Sequence, residues 1–566
     1  MNASPAEPSV AELYTPKLIT VLREGYGLAD LRADALSGLT VAIVALPLSM
    51  AIAIASGVGP ERGLYTAIVG GFLVSLLSGS RFQIGGPAGA FIVLVATTVL
   101  QHGLDGLLLA TFVSGLFLAL AGAFRLGTFV KYIPFPVTVG FTAGIAAIIA
   151  ASQLKEAFGL TLPGVEPAAL LPKLEALWQA RPTFNAATAG LTALTVALIV
   201  GIKRFDSRWP NLLLAVAAAT LAAALLDLPV ETIASRFGAM PNSLPAPALP
   251  AFDLPKLIAV LPNAAAFALL GSIESLLSAV VADSMTGRRH RSNCELIAQG
   301  VANVGSALFG GICVTGAIAR TATNVRSGAR GPVAGILHSL FLLLFIWIAA
   351  PLAGYIPLAA LAGVLIVVAW NMVERHQIAA LLRASRGEAL VLLVTLTLTI
   401  FRDLTEGIVA GFALSALLFI HRMGQSVAVE AAMPRIEPDS ADGGDKTRYA
   451  EATVTDRDIV VYRISGAFFF GAAASVAAAL DRVGVQPKAY VIDFSAVTVI
   501  DSTGASAIDG FRRKAAAQRA RLVLAGARPA IERMLWIHGV RPPDVAFMQS
   551  VDDAIAALRG NGVTST

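Results

Sequence analysis

The sequence predicts an α-helical polytopic membrane domain of fourteen segments, arranged as a 7+7 inverted repeat and followed by a small soluble α/β domain. Three observations carry this. The 566-residue chain is 56% hydrophobic and only 14% charged, with a mean hydropathy of +0.74, well outside the composition of soluble globular chains. Apolar runs, many of them long enough to cross a bilayer, recur from about Leu36 to Arg422. Beyond Arg422 the pattern changes to short strand-like runs alternating with helical ones.

Residues 1–35 are polar and mixed in charge. They lack the basic-then-apolar pattern of a cleavable signal, so the N-terminus is expected on the cytoplasmic side. The fourteen segments are expected at about 36–57, 61–79, 86–100, 104–123, 133–152, 186–202, 211–226, 262–285, 293–310, 315–328, 333–351, 357–371, 388–402 and 404–421. With the N-terminus inside, the basic residues fall on one side. They are Arg125 and Lys131, then Lys203, Arg204 and Arg208, then Arg288, Arg289 and Arg291. Arg326 and Arg330 follow, then Arg375, Arg383 and Arg386, and finally His421 and Arg422. This is the asymmetry of the positive-inside rule, and a miscount by one segment would scatter it.

The third and tenth segments are too short to cross. Each follows a glycine pair, Gly85-Gly86 before Pro87 and Gly310-Gly311 before Thr315. Ala88-Gly89-Ala90 in one answers Thr315-Gly316-Ala317 in the other. Short, Gly-led segments at corresponding places fit an inverted repeat with a midplane site between two half-helices. Pro87 suits a helix first turn, and a half-helix is expected to begin near Thr315. Each helix start aims its dipole and free N–H groups forward, and Arg320 adds a fixed charge. Small residues at 88–90 and 315–317 let a ligand approach the backbone. Together they describe an anion site inside a bilayer. The plainer reading is close helix packing through small residues.

Glu274 lies near the middle of the eighth segment, where a carboxylate must be paired, protonated or near water. It is the candidate coupling residue, binding and releasing a proton. A fixed ion pair with Arg320 and a sodium ligand are the alternatives. Gln299 and Asn303, four apart, share a face of the ninth segment and read as packing contacts to a neighbouring helix or the half-helix end. His338 reads as a structural histidine. Asp283, with Arg288 and Arg289, reads as a solvated end of the eighth segment. Pro47 interrupts the first segment among mostly apolar neighbours.

After a linker at 434–448, strands are expected at Ile459–Ile464, Tyr490–Phe494 and Arg521–Ala525, with helices at 471–483, 503–519 and 528–539. The domain bounds are thus 1–35, 36–422 for the membrane part, 423–451 and 452–566. Asp501-Ser502-Thr503-Gly504 opens a helix. Capping by Asp501 or Ser502 is the plain reading, and regulatory phosphorylation at Ser502 or Thr503 the functional one. Cys294 and Cys313 fall in apolar surroundings and do not suggest a disulfide framework. No phosphate loop, metal cluster or hydrolase triad is present, so ATP-driven pumping, a cofactor, a metal and enzyme catalysis are not expected. Nothing in the net charge of +5 points to nucleic acid.

Several motifs in order resemble the SulP anion transporters, bacterial relatives of pendrin and prestin. They are Gly-Leu-Tyr65-Thr, Gly-Ser-Arg-Phe-Gln-Ile-Gly-Gly-Pro87-Ala-Gly-Ala, Ser-Ile-Glu274-Ser-Leu-Leu, Ala282-Asp-Ser-Met-Thr-Gly, Glu295-Leu-Ile-Ala-Gln-Gly and Gly316-Ala-Ile-Ala-Arg320-Thr-Ala. The C-terminal part resembles a STAS domain through Asp501-Ser-Thr-Gly504. The resemblance implies core and gate domains, elevator-like movement and a homodimer. It places the substrate site at Pro87, Ala88, Gly89, Ala90, Thr315, Gly316, Ala317 and Arg320, with Glu274 as the acidic residue. Its STAS domain would sit in the cytoplasm, open to a partner there, on a protein of the bacterial inner membrane. Many members carry Pro-Gln in the first segment, whereas this chain has Pro47-Leu48 and a more apolar wall. Val-Ala-Trp370-Asn-Met and the Arg320 stretch look most like the branch that moves dicarboxylates (succinate, fumarate) with protons. Sulfate and bicarbonate, with protons or sodium, are the rivals. A passive anion channel or anion sensor is the alternative of another class, and a nucleobase carrier a further one.

Overall fold

The computed structural model describes residues 13–128, 134–164, 166–167, 169–205, 210–402, 404–425, 428–431, 459–469 and 487–559. The chain divides into two compact units, Met1–Phe412 and Ala413–Thr566.

Every expected membrane segment has a helical counterpart. The first is Leu28–Ala55, and the second runs through Pro60–Tyr65, a π-helical turn at Thr66–Gly70, and Gly71–Leu77. The third and fourth share one helical stretch, Gly89–Ala123, broken at Gly103, whose φ of 69° and ψ of −174° are non-helical. The fifth to ninth are Phe135–Ser152, Ala186–Phe205, Asn211–Leu225, Leu254–Thr286 and Ser292–Leu308. The tenth is the short helix Ile318–Arg326, and the rest are Val333–Ala353, Leu358–Met372, Arg386–Phe401 and Leu404–Gln425. Among the described residues, eight helical stretches are long and apolar enough to cross a bilayer.

Two helices start well before the expected position, each for a local reason. The first helix begins at Leu28 because buried Asp34 accepts the N–H groups of Arg330 (2.6 Å) and Gly331 (3.1 Å) and the Tyr26 hydroxyl (2.7 Å). A polar first turn is thereby satisfied without an apolar run. The eighth begins at Leu254, with a proline in its first turn and Pro262 accommodated inside it. Amphipathic helices at Leu170–Gln179 and Arg375–Ala384 are too polar for a hydropathy pattern to reveal.

Close helix crossings depend on missing side chains, as membrane packing favours. A Cβ on Gly300 would lie 2.6 Å from both Ala119 N and Gly115 O, and one on Gly115 would lie 2.6 Å from Gly300 O. The fourth and ninth helices therefore meet backbone to backbone.

Two strands unforeseen from the sequence lie inside the membrane unit. β1 (Gly85–Gly86) pairs antiparallel with β2 (Thr315–Gly316), with Gly85 opposite Gly316 and Gly86 opposite Thr315.

The second unit contains β3 (Ala428–Ala431), β4 (Ile459–Phe468), β5 (Ala489–Asp493), β6 (Val497–Ile500), β7 (Arg521–Ala525) and β8 (Ala546–Met548). The order is β3-β4-β5-β7-β8, with β6 also beside β4. β3 is antiparallel to β4 and the remaining pairs are parallel. Helices Ser502–Ala517, Pro529–Ile537 and Val551–Arg559 are described in this unit. The expected helix 471–483 and linker 434–448 lie outside the described residues. Asp501 caps Ser502–Ala517 by accepting the Gly504 N–H at 2.8 Å.

Candidate functional site

The β1–β2 ladder brings the third and tenth segments together at their helix starts. It is held from several sides. Asn303 clamps the residue before β2, with Oδ1 accepting Val314 N–H (2.9 Å) and Nδ2 donating to Val314 O (2.8 Å). Thr66, in the π turn, accepts Ile312 N–H at 2.7 Å, and Ser306 donates to Ile312 O at 2.7 Å. Irregular helical turns of this kind often sit at functional sites. Ser275, one turn beyond Gly271 on the eighth helix, accepts Gly316 N–H at 3.1 Å and lies 2.8 Å from the Thr315 hydroxyl. Beside the ladder, Ala317 N–H donates to Ile84 O (3.0 Å) and Ile84 N–H to Thr321 Oγ1 (3.1 Å).

Thr315 does not start the tenth helix. It is a strand residue, Ala317 is the N-cap, and the helix opens at Ile318. Ladder bonds hold residues 315–317 extended and defer the first helical turn. Pro87 likewise precedes the N-cap of its half-helix, which is Ala88. The two helices therefore start two and three residues later than Pro87 and Thr315 suggest. The N–H groups of Gly89, Ala90, Ile318, Ala319 and Arg320 make no hydrogen bond to another element among the described residues, and first-turn N–H groups lack intrahelical partners.

Arg320 reaches from the tenth helix's first turn across this gap. It is only 1% exposed. Its Nη2 donates to Ser49 Oγ (3.1 Å) and to Pro87 O (3.2 Å). Its Nε and Nη1 are buried without a partner. The guanidinium lies against Gly86, where a Cβ would come within 2.1 Å of Nη1. Glu274 stands on the neighbouring eighth helix with Oε2 buried and unpartnered. The two side chains are near enough to interact electrostatically, yet they make no ion pair within 4.0 Å. A buried donor without an acceptor costs about 1–3 kcal/mol, more when charged. Arg320 keeps two such buried donor groups, Nε and Nη1, that no protein acceptor among the described residues uses.

Around this point the walls are small or apolar. Ala88, Ala90 and Ala317 are buried. Gly89 faces the fifth and twelfth helices, where a Cβ would lie 3.1 Å from Ile149 Cδ1 and 3.8 Å from Met372 Sδ. Pro47 and Leu48 are buried within the first helix. His338 is fully buried with both ring nitrogens unpartnered, within electrostatic range of Arg320. Other sequence candidates fall elsewhere. Asp283 accepts from His290 N–H at 3.0 Å and lies 2.7 Å from its Nδ1. Ser502 and Thr503 are exposed in the second unit.

Residues 31–395 match the sulfate permease family, and residues 449–554 match the STAS domain. The first match spans more than half of the chain. The chain belongs to the sulfate permease family. It is an anion transporter and a multi-pass membrane protein, not an enzyme, and it carries a C-terminal STAS domain. YvdB of Bacillus subtilis is 37% identical over 91% of this permease and 95% of that protein. The bicarbonate transporter BicA of Picosynechococcus sp. is 31% identical over 94% of this chain and 95% of its own length. The BicA transmembrane domain superposes with a TM-score of 0.61 at 33% identity, covering 68% of this chain and 98% of that one. SLC26A9 superposes with a TM-score of 0.83 over 96% of this chain and 93% of its own. At 17% identity that likeness shows the fold alone.

Two groups at the candidate site escaped the sequence reading. Ser49 was visible only as a neighbour of Pro47, and nothing in the pattern paired it with Arg320. Ser275 stands one residue beyond Glu274. Its four-residue spacing from Gly271, with Ser278 three residues further, was the available signal for a small, polar face on the eighth helix. Asn303, expected to contact a neighbouring helix or the half-helix end, does the latter through its clamp on Val314.

Proposed function

We propose that this permease is a secondary active carrier, in which one anion binds between the starts of the third and tenth half-helices and Glu274 carries the coupling proton. The observation supporting it is the pair of unpartnered Arg320 nitrogens, buried beside an unpartnered Glu274 oxygen. An anion at that point accepts from Arg320 and meets two converging helix dipoles. Pro87, Ala88, Gly89, Ala90, Thr315, Gly316 and Ala317 form the cradle. Ala88, Gly89, Ala90 and Ala317 keep it narrow, Pro87 contributes its carbonyl to Arg320, and Thr315 and Gly316 act through the strand.

Proton binding to Glu274 removes a negative charge within electrostatic range of Arg320, which strengthens anion binding there. Symport follows from that linkage. Sodium beside the carboxylate is the competing coupling ion. Movement of the core against the gate segments, a homodimer, cytoplasmic termini in the bacterial inner membrane, and regulation or partner binding through the STAS domain at Ser502 or Thr503 belong to the same proposal. So does the division into a transport domain at 36–422 and a STAS domain at 452–566.

The names of relatives support an inorganic oxyanion as first substrate. BicA is a bicarbonate transporter, and a relative from Arabidopsis thaliana, 25% identical over 84% of this chain and 72% of its own length, is a sulfate transporter. A dicarboxylate is the second reading, supported by the apolar wall at Pro47-Leu48 and the resemblance around Trp370.

Uptake of labelled succinate, sulfate and bicarbonate into proteoliposomes, with and without an inward proton gradient, tests all of this. Gradient-stimulated uptake of one anion, with Glu274→Gln abolishing the stimulation and flattening the pH profile, is the expected result. A full pH dependence in Glu274→Gln removes the proton role. Uptake that follows only the anion's own gradient favours a channel.

A further inference from the structure

Two sequence motifs, Arg-Phe-Gln83-Ile and Glu295-Leu-Ile-Ala-Gln299, are not used by the carrier mechanism above, yet they meet in space. Glu295 lies in the first turn of the ninth helix and is fully buried. Its Oε1 accepts from Gln83 Nε2 at 2.9 Å and from Gln299 Nε2 at 2.8 Å. Its Oε2 accepts the Ser78 hydroxyl. No cation pairs with it within 4.0 Å among the described residues. A buried carboxylate held by neutral donors alone is a weak route to stability, since apolar replacements often do as well. Its local task is to hold its three side-chain donors, Gln83, Gln299 and Ser78, in place.

The task follows from where Gln83 ends. Its amide nitrogen occupies the space beside Gly316, so that a Cβ there would lie 1.8 Å from Nε2 and 2.5 Å from Cδ. Gly316 is the β2 residue opposite Gly85, its N–H is held by Ser275, and the next residue caps the helix bearing Arg320. Gln83 is thus fixed at one end by the ladder that follows it in sequence and at the other by Glu295. In between, its amide bears on the cradle strand.

We propose that Glu295 is a positioning residue for the anion site, acting through Gln83. Glu295 holds the Gln83 amide against Gly316, and so sets where β2 and the first turn of the tenth helix present Arg320 to the anion. The Gln299 side-chain amide binds the same carboxylate oxygen from one turn along the ninth helix, and its bond to Glu295 is made away from Gly316, where the nearest atoms are those of Gln83. The inference rests on the carrier reading of the Arg320 site.

The test is transport by the full chain in proteoliposomes, using whichever of labelled succinate, sulfate and bicarbonate the wild type takes up. Glu295→Gln and Gln83→Ala are each expected to raise KM about tenfold, the loss of one charge-assisted hydrogen bond, with little change in kcat per folded transporter. The double variant should be no worse than the poorer single one, because both act through one contact. Gln299→Ala, which removes the other donor to the same oxygen, should leave KM within about threefold of wild type. If Glu295→Gln does not fold, the contrast between Gln83→Ala and Gln299→Ala carries the test. An unmoved KM in Glu295→Gln or Gln83→Ala, or additive effects in the double variant, overturns the proposal. A loss confined to kcat or yield also overturns it, leaving Glu295 a structural residue. Arg320→Lys separates the two levels. If it transports as wild type, the carrier reading of the site fails. If it raises KM while the Glu295 and Gln83 variants do not, only this inference fails.

Discussion

Gly86→Ala adds one methyl group behind the Arg320 guanidinium and leaves every charge in place. The new Cβ would sit 2.1 Å from Nη1 and 3.2 Å from Cζ. Reaching an ordinary contact of about 3.5 Å requires the planar group to retreat by about 1.4 Å. Nη2 moves with it, and its bonds to Ser49 Oγ at 3.1 Å and Pro87 O at 3.2 Å stretch past useful length. Hydrogen bonds from a charged group are worth about 1.5–3 kcal/mol each, and about 1.4 kcal/mol is a factor of ten. Loss of one bond with partial relaxation therefore weakens anion binding about tenfold, and loss of both about a hundredfold or more. The assay is initial uptake against anion concentration in proteoliposomes, normalised to monodisperse transporter, with binding to the solubilised protein as a second measure. Gly89→Ala is the companion variant. Its Cβ meets only Ile149 Cδ1 at 3.1 Å and Met372 Sδ at 3.8 Å, so its effect on binding should be smaller. A Gly86→Ala transporter with wild-type affinity would show that the position of Arg320 does not set anion binding.

Two further expectations concern stability. Gly300→Ala places a Cβ 2.6 Å from Ala119 N and Gly115 O, which are backbone atoms that cannot turn aside. It should destabilise the membrane unit by about 1–3 kcal/mol, read as a lower melting temperature in detergent. In the second unit, burial opposes the charge of Asp493, but hydrogen bonds from the Ser495 hydroxyl and backbone, together with Arg463 at 2.7 Å, outweigh it. Its carboxyl is therefore held below its usual value. A carboxyl lowered on folding contributes stability that is present above its unfolded value, about 3.9, and lost as pH falls through the lower folded value. Amide exchange at 489–493, corrected for intrinsic rates, should show protection falling in that acid window and losing its slope in Asp493→Asn.

Much of the architecture was legible because hydropathy reports directly on a bilayer. The segments expected at 333–351 and 388–402 appear as Val333–Ala353 and Arg386–Phe401, and β7 falls on the expected Arg521–Ala525. The glycine pairs and Arg320 marked the site because charge and backbone flexibility are conspicuous within apolar sequence. What stayed hidden depends on pairing between distant positions. A two-residue strand has no periodicity, so β1 and β2 left no trace, and the start of the tenth helix was placed early at Thr315. Ser49 and Gln83 look like ordinary polar residues until the partners from the tenth and ninth helices are beside them. A polar residue such as Asp34 lets its helix extend beyond the apolar run because the distant N–H groups of Arg330 and Gly331 satisfy it.

The β1–β2 ladder also bears on how size discrimination can arise. The two half-helices are cross-linked by strand hydrogen bonds, by Ala317 to Ile84, and by Arg320 to Pro87. The aperture between their ends is accordingly set by main-chain geometry, and it cannot widen for a larger guest without unzipping the ladder. In the carrier proposed above, ions are sorted by fit to this gauge, and side chains around the rim adjust affinity without altering the spacing. A one-residue insertion or deletion in either strand would turn its neighbours to the opposite face and take Arg320 out of the opening. Chain length between residues 85 and 88, and between 315 and 317, is therefore constrained together with the absence of side chains at Gly86 and Gly316, where a Cβ would lie 2.1 Å from Arg320 Nη1 and 1.8 Å from Gln83 Nε2.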